Sequence, residues 1–331
     1  MKKLTTATSF VTAGVLGIAL TVVLGAQADR GPAAVAAHKA VAEKAAGKDF
    51  GRLKLSACSE REPAAPAPAA APGAPAAART APPREQWLAE PARVFDNFYF
   101  IGTREHGAWA LTTTAGIIVI DALYDYAVID AVEAGMKKLG LDPADIKYLI
   151  ITHGHGDHHG GTRYLQDKYR PRVVMGPRDW DLVARDTRSP RPAKDMEATD
   201  GQKITLGDTT VTLYITPGHT PSTISPVLTV KDNGVPHVAV QWGGTALNPT
   251  TPVASIQEYV NSAARFRKIA AAAGADVIFT NHTLFDGTLT KIAAIKGRQA
   301  GQPHPFVVGP AVVDRYMTVV EECGRALLAA R

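Results

Sequence analysis

Four side chains able to bind metal ions fall within six residues in His153-Gly154-His155-Gly156-Asp157-His158. Residues i and i+2 of an extended turn point the same way, so His153 and His155 can converge on one ion. Asp157 and His158, at the start of a following helix, are displaced from that point and suit a neighbouring second ion. Neutral imidazoles with one carboxylate suit zinc, while ligand type alone leaves iron and manganese open. Gly154 and Gly156 remove Cβ atoms where the loop must turn sharply and a substrate must come close. The chemistry such a centre offers is hydrolysis, because zinc lowers the pKa of a water to about 7 and polarises a carbonyl.

These residues need a scaffold that delivers them to one place. Residues 148–152, Tyr-Leu-Ile-Ile-Thr, form a largely apolar strand that ends at His153. Short β-rich runs at 93–101, 109–113 and 117–121 precede it, with a helical spacing over 126–139 between. Helix is expected to resume at 160–169, followed by strands at 172–175 and 207–217. The pattern then recurs as strand 237–241, helix 255–273, strand 275–280 and a closing helix over 312–330. Strand and helix alternating twice over predict an α/β fold of two layered halves with their sheets back to back.

The His-x-His-x-Asp-His loop after a strand resembles the hallmark of the metallo-β-lactamase superfamily, over roughly residues 95–290. The resemblance implies an αββα sandwich, two mixed β-sheets back to back flanked by helices. It also implies a histidine on a later loop, which Thr216-Pro217-Gly218-His219-Thr220-Pro221 supplies, and another after a strand near the C-terminus, which Thr280-Asn281-His282 supplies. The ligand sets implied are His153, His155 and His219 for one zinc and Asp157, His158 and His282 for the second. Many relatives, including glyoxalase II-like thioesterases and lactonases, carry a metal-bridging aspartate in a Gly-Asp pair after the strand that follows His219. This chain has Gly243-Gly244-Thr245 there and no aspartate between Asp232 and Asp276. The pattern therefore resembles the third β-lactamase subclass, with hydroxide or water joining the metals. Flavodiiron oxidoreductases fit poorly, since they need that aspartate and a glutamate in place of His155.

On this reading Asp157 also orients the nucleophile, and Asp121 is a candidate partner for a ligand histidine or a cap of the following turn. Thr245, which aligns with a residue that holds the substrate carboxylate, and Thr223 are candidate substrate contacts. His106, Trp109 and Trp242 lie near loops expected at the metal face and are further candidates, although core packing suits the tryptophans equally. His159 sits beside the motif at a position that the family does not use for metal.

The flanks bound the biology. Lys2 and Lys3 precede an apolar run over residues 10–24 that ends in Ala26-Gln27-Ala28, which reads as a signal peptide cleaved after Ala28. The mature chain is then expected in the periplasm or outside the cell, without stable membrane insertion. A helical extension is expected over 29–62, a Pro/Ala-rich extended linker over 63–86 and one hydrolase domain over 87–331. The net charge of +5 falls to +3 without Lys2 and Lys3 and has no basic block, so nucleic acid is not the expected partner. Cys58 and Cys323, the two cysteines, are expected to pair in an oxidising compartment. The expected partner is a small molecule, a β-lactam or another cyclic amide or ester. The rivals are another hydrolase of the same fold acting on a lactone, ester or amide, and a metal-binding envelope protein without turnover.

Overall fold

The computed structural model describes residues 30–60, 81–248 and 250–331. The signal-peptide expectation and most of the linker lie outside the described residues. The elements, in chain order, begin with α1 (Pro32–Ala46), α2 (Gly51–Ala57), α3 (Arg84–Trp87), β1 (Ala92–Phe95), β2 (Phe98–Phe100), β3 (Trp109–Thr113) and β4 (Gly116–Ile120). A π-helical turn (Val128–Glu133) runs into α4 (Ala134–Lys138), followed by β5 (Ile146–Ile150), α5 (Gly156–His159), α6 (Thr162–Tyr169), β6 (Arg172–Met175), α7 (Pro177–Ala184) and β7 (Met196–Glu197). The second half holds β8 (Gln202–Leu206), β9 (Thr209–Ile215), β10 (Ile224–Asp232), β11 (Val235–Val240), α8 (Val253–Ala272), β12 (Val277–Ile278), α9 (Thr288–Lys296) and α10 (Pro310–Ala329).

Strands β1 to β7 form one sheet in sequence order, antiparallel as far as β4 and parallel from β4 to β7. The second sheet runs β12-β11-β10-β9-β8, parallel only between β11 and β12. Alternation along the strands decides the layers. In β4, Ile118 and Ile120 face the space between the sheets, where they meet Leu213, Leu228 and Phe279, whereas Ile117 and Val119 face Val128, Val132 and Leu165 on the outer helices. A third core lies between the second sheet and α8 and α10. Two mixed sheets back to back between helical layers are the α/β sandwich expected. Among the described residues no helix is long and apolar enough to cross a membrane.

Several elements depart from the sequence reading. The expected strand over 93–101 is a hairpin, because Asp96 and Asn97 turn the chain and bond to the other sheet through Asp96 N to Lys231 O (2.7 Å) and Lys231 N to Asn97 Oδ1 (3.0 Å). Residues 84–86, assigned to the linker, are helical in α3, whose Trp87 is buried against Tyr126. The extension is not a separate appendage. Ala42, Ala46, Phe50, Leu53 and Ala57 complete the core under α10, the Arg315 guanidinium donates to Ala45 O (2.9 Å) and Asp49 Oδ2 (2.7 Å), and Cys58 is bonded to Cys323.

This covalent tie, closing a separation of 265 residues, corresponds to roughly 5 kcal/mol of unfolded-state entropy in the simple chain model. Limited proteolysis within residues 63–80 is expected to give two pieces that migrate together without reductant and separate with it. Two thiols titrating in denatured, unreduced protein would refute the bond.

Candidate metal centre

The carboxyl ends of β4, β5, β9, β11 and β12 open on one edge of the sandwich, and the loops that leave them carry every motif singled out above. His153 and His155 follow β5, Asp157 and His158 lie in α5, His219 lies in the loop after β9, and His282 lies after β12. The structure brings His153, His155 and His219 together, with one ring nitrogen of each within 4.8 Å of the others. Nε2 of His153 and of His219 are 3.1 Å apart. Asp157 is the hub of a second group, with its Oδ2 3.3 Å from His158 Nε2 and 3.7 Å from His282 Nε2.

The tautomers are set by neighbours that can only accept. His158 Nδ1 is 2.9 Å from Oδ2 of Asp121, so Nδ1 carries a proton and donates there, which turns Nε2 to the site. Asp121 is wholly buried at the end of β4 and also accepts from Thr152 N (2.7 Å) and Thr152 Oγ1 (2.9 Å). Thr152 Oγ1, having given its proton to Asp121, accepts from His153 Nδ1 at 3.2 Å. His219 Nδ1 donates to the carbonyl of Ala246. Nε2 of each of these three rings thus faces the site. Asp121 therefore orients a site histidine, the first of the two roles considered for it.

The electrostatics ask for a cation. Burial pushes the imidazoles of His153 and His282 well below their ordinary value and that of His219 down to about 3, which keeps these rings neutral. For His158 burial acts the same way but is outweighed by Asp157 and Asp121, which raise it to about 10. Nε2 of His158 is nonetheless a buried polar atom without a hydrogen-bond partner, although it lies 3.3 Å from a carboxylate oxygen. A donor atom close to other donors yet unbonded to them suits coordination of a shared ion. The residues present therefore fit metal at both positions.

The other candidates divide. His106, on the turn before β3, reaches the site, with its Nε2 3.4 Å from Asp157 Oδ2. Trp242 and Thr223 do not, which corrects their assignment to the substrate surface. Trp242 packs in the core against Tyr259 and Phe266, and Thr223 is wholly buried with Oγ1 at 2.6 Å from Thr220 Oγ1. Thr245 is buried beside Tyr316 and is likewise off the open surface, while the adjacent Gly244 lies so close to His219 that an added Cβ would be 2.5 Å from its ring. Trp109 packs between the sheets with Nε1 bonded to Thr280 O (2.9 Å). His159 turns away to Asp186 at 3.2 Å.

One residue escaped sequence reasoning. Asp179 in α7 is wholly buried and accepts from Gly154 N (2.8 Å), Thr220 Oγ1 (2.7 Å), Ser222 N (2.9 Å) and Ser222 Oγ (3.1 Å). It ties the loop of His153 and His155 to the loop of His219. Beside the second group opens a cavity of about 470 Å³ whose wall includes His106, His282, Glu105 and Phe285, together with Arg52 and Leu55 of α2. The N-terminal extension thus contributes to the wall of the site.

Residues 102–235 match the family model of the metallo-beta-lactamase superfamily. The chain is 32% identical over 120 residues to a hydroxyacylglutathione hydrolase of Nitrobacter hamburgensis, covering 35% of this chain and 44% of that protein. It is 36% identical over 113 residues to one of Rhodopseudomonas palustris, covering 33% and 41%. The chain thus spans less than half the length of these curated relatives. Similarity to solved structures runs further. A subclass B3 metallo-beta-lactamase of Bradyrhizobium japonicum superposes with a TM-score of 0.62 at 28% identity, over 71% of this chain and 92% of that one. A metallo-beta-lactamase of Cronobacter sakazakii superposes with a TM-score of 0.61 at 26% identity, over 70% and 92%.

Proposed function

Because this chain belongs to the metallo-β-lactamase superfamily, we propose that it is an exported dinuclear zinc hydrolase that opens a cyclic amide, foremost a β-lactam. One observation carries the reading. Two donor groups, His153, His155 and His219 beside Asp157, His158 and His282, meet at the sheet edge without any aspartate between Asp232 and Asp276 to bridge them. Such a donor arrangement goes with the likeness to subclass B3 structures rather than with families that need a bridging carboxylate.

Zinc held there would supply a water acidic enough to ionise near neutral pH and a Lewis acid for the carbonyl oxygen. The chain's own residues do the rest. Asp157 turns one carboxylate oxygen to three imidazoles, and its other oxygen can hold a nucleophilic water in line with a carbonyl carbon. Asp121 and Ala246 O fix the ring orientations, so donor positions are set before a substrate arrives. Arg52 at the pocket wall offers a positive charge suited to a substrate carboxylate.

A second reading has support in the hydroxyacylglutathione hydrolases, which share 32–36% identity over about a third of this chain. Zinc-loaded full-length protein assayed against nitrocefin, a lactone panel and a hydroxyacylglutathione separates the two. Turnover of nitrocefin at least 100-fold above the other substrates is expected. Preference for the hydroxyacylglutathione would replace the β-lactam reading, and two bound zinc ions with no hydrolysis would favour a non-catalytic envelope protein. Export rests on the N-terminal sequence and predicts a mature protein in the periplasmic fraction that begins at Asp29.

A further inference from the structure

We infer that His106 is a fourth donor to the second metal position, alongside Asp157, His158 and His282. The inference rests on the dinuclear reading above and extends it.

The spacing of the donor atoms is the first support. Atoms bound to zinc at 2.0–2.1 Å in a tetrahedron lie about 3.3–3.4 Å from one another. Nε2 of His106 is 3.4 Å from Asp157 Oδ2, between the 3.3 Å of His158 and the 3.7 Å of His282. All three imidazoles thus bring a ring nitrogen within 3.7 Å of the same carboxylate oxygen. Among the described residues His106, Asp157 and His282 form a metal-competent group in their own right, each offering an atom within 4.8 Å of the others. A charge-assisted hydrogen bond from His106 to Asp157 would close to about 2.7–2.9 Å, which the separation does not do.

The second support is how firmly the chain places this side chain. His106 pairs with His282 in an antiparallel bridge, and their rings are 5.0 Å apart. Gly107 N donates to Asn281 O (2.9 Å) and Thr283 N to Glu105 O (3.0 Å), so the turn is laced to the segment that carries His282. Thr103 closes the turn by donating N–H to His106 O (2.8 Å) and accepting His106 N–H on Oγ1 (2.9 Å). The turn leaves no room for other residues at its two glycines. A Cβ at Gly102 would be 2.4 Å from His106 O, and one at Gly107 would be 2.2 Å from Thr280 O. A residue that merely lined an open pocket would not need its backbone fixed on both sides.

The consequence is an asymmetry between the two positions. Three imidazoles at the first leave a place for water and substrate, whereas four protein donors close the second in the manner of structural zinc. A second ion would then be held tightly by these four residues, and the position of His153, His155 and His219 would be the one left open to polarise a carbonyl.

The test is a metal titration of the metal-free, full-length protein against a competing chelator, with zinc and with cobalt. The wild type should take up two equivalents. In His106→Ala and His106→Gln the equivalent that Asp157→Ala also weakens should lose affinity by 10-fold or more, and its cobalt spectrum should change. The equivalent that depends on His219 should be unaffected. Glutamine can still donate a hydrogen bond to Asp157, and the melting temperature of each metal-free variant reports whether it folds. If His106→Gln kept wild-type affinity for the second equivalent, His106 would be only a hydrogen-bond partner of Asp157 and the inference would fall with the dinuclear reading intact. A wild type that takes up no second equivalent would overturn that reading and this inference with it.

Discussion

His219→Ala is expected to strip the first metal position while Asp157→Ala weakens the second, and both should reduce hydrolysis by at least the 10–100-fold typical of losing a group that only supports a ligand. The separation follows from the geometry. His219 stands 3.1 Å from His153 and has its other nitrogen anchored on Ala246 O, so alanine there leaves two imidazoles, one of them on the exposed His155. Asp157 is the only carboxylate among the donor atoms of the second group, and its charge draws a cation to a position where burial holds His282 neutral. At limiting zinc, Asp157→Ala should therefore hold close to one ion per chain. Its turnover should fall further than ion loss alone explains, because the water loses its orienting carboxylate. His159→Ala is the control, since His159 faces Asp186 rather than the site, and it should change neither quantity. Metal content and rate must move together. If Asp157→Ala kept two tightly bound zinc ions and near-normal rates, the two-site mechanism would have to be abandoned.

The metal loop was legible from sequence because its information is local. Four donors in six residues after an apolar strand need no tertiary contact to be noticed, and Asp121, one strand earlier, was legible as a partner for a site histidine. What escaped depends on distant chain. Strand β10 passed unread because Pro226 removes a ladder donor and Ser225 interrupts the apolar run, yet it is paired on both sides by β9 and β11. The hairpin at Asp96 and Asn97 is decided by bonds to residues 231–234 across the sandwich. Trp242 lies near loops expected at the metal face, but its indole packs against Tyr259 on α8. His106 was singled out for its proximity to the expected metal face. Its relation to Asp157 needed the bridge to His282, which joins segments more than 170 residues apart.

Asp179 gives the sharpest case of information that only the fold supplies, and substitution there should have the largest effect of any residue outside the two donor groups. In sequence it is one acid in a polar helical stretch; in the structure it is wholly buried between the two loops that form the first metal position. Burial pushes its carboxyl upward, against the hydrogen bonds from Thr220, Gly154 and Ser222. Asp179→Ala would leave the backbone N–H groups of Gly154 and Ser222 without acceptors, at about 1–3 kcal/mol each, or on the order of 2–6 kcal/mol together. For a chain of this size that corresponds to a fall in melting temperature of roughly 3–9 °C. The effect on metal should be selective. Gly154 lies between His153 and His155, and Thr220 follows His219, so loosening this joint should weaken the first equivalent while the second, held from β4, α5 and the segment after β12, keeps its affinity. Asp179→Asn keeps the volume and one acceptor oxygen but turns an amide donor toward other donors, and it should fall between alanine and the wild type. Titration well below the melting temperature distinguishes positioning from bulk stability. A variant that melts early yet binds its first equivalent as tightly as the wild type would show that Asp179 supports the fold and does not position the site.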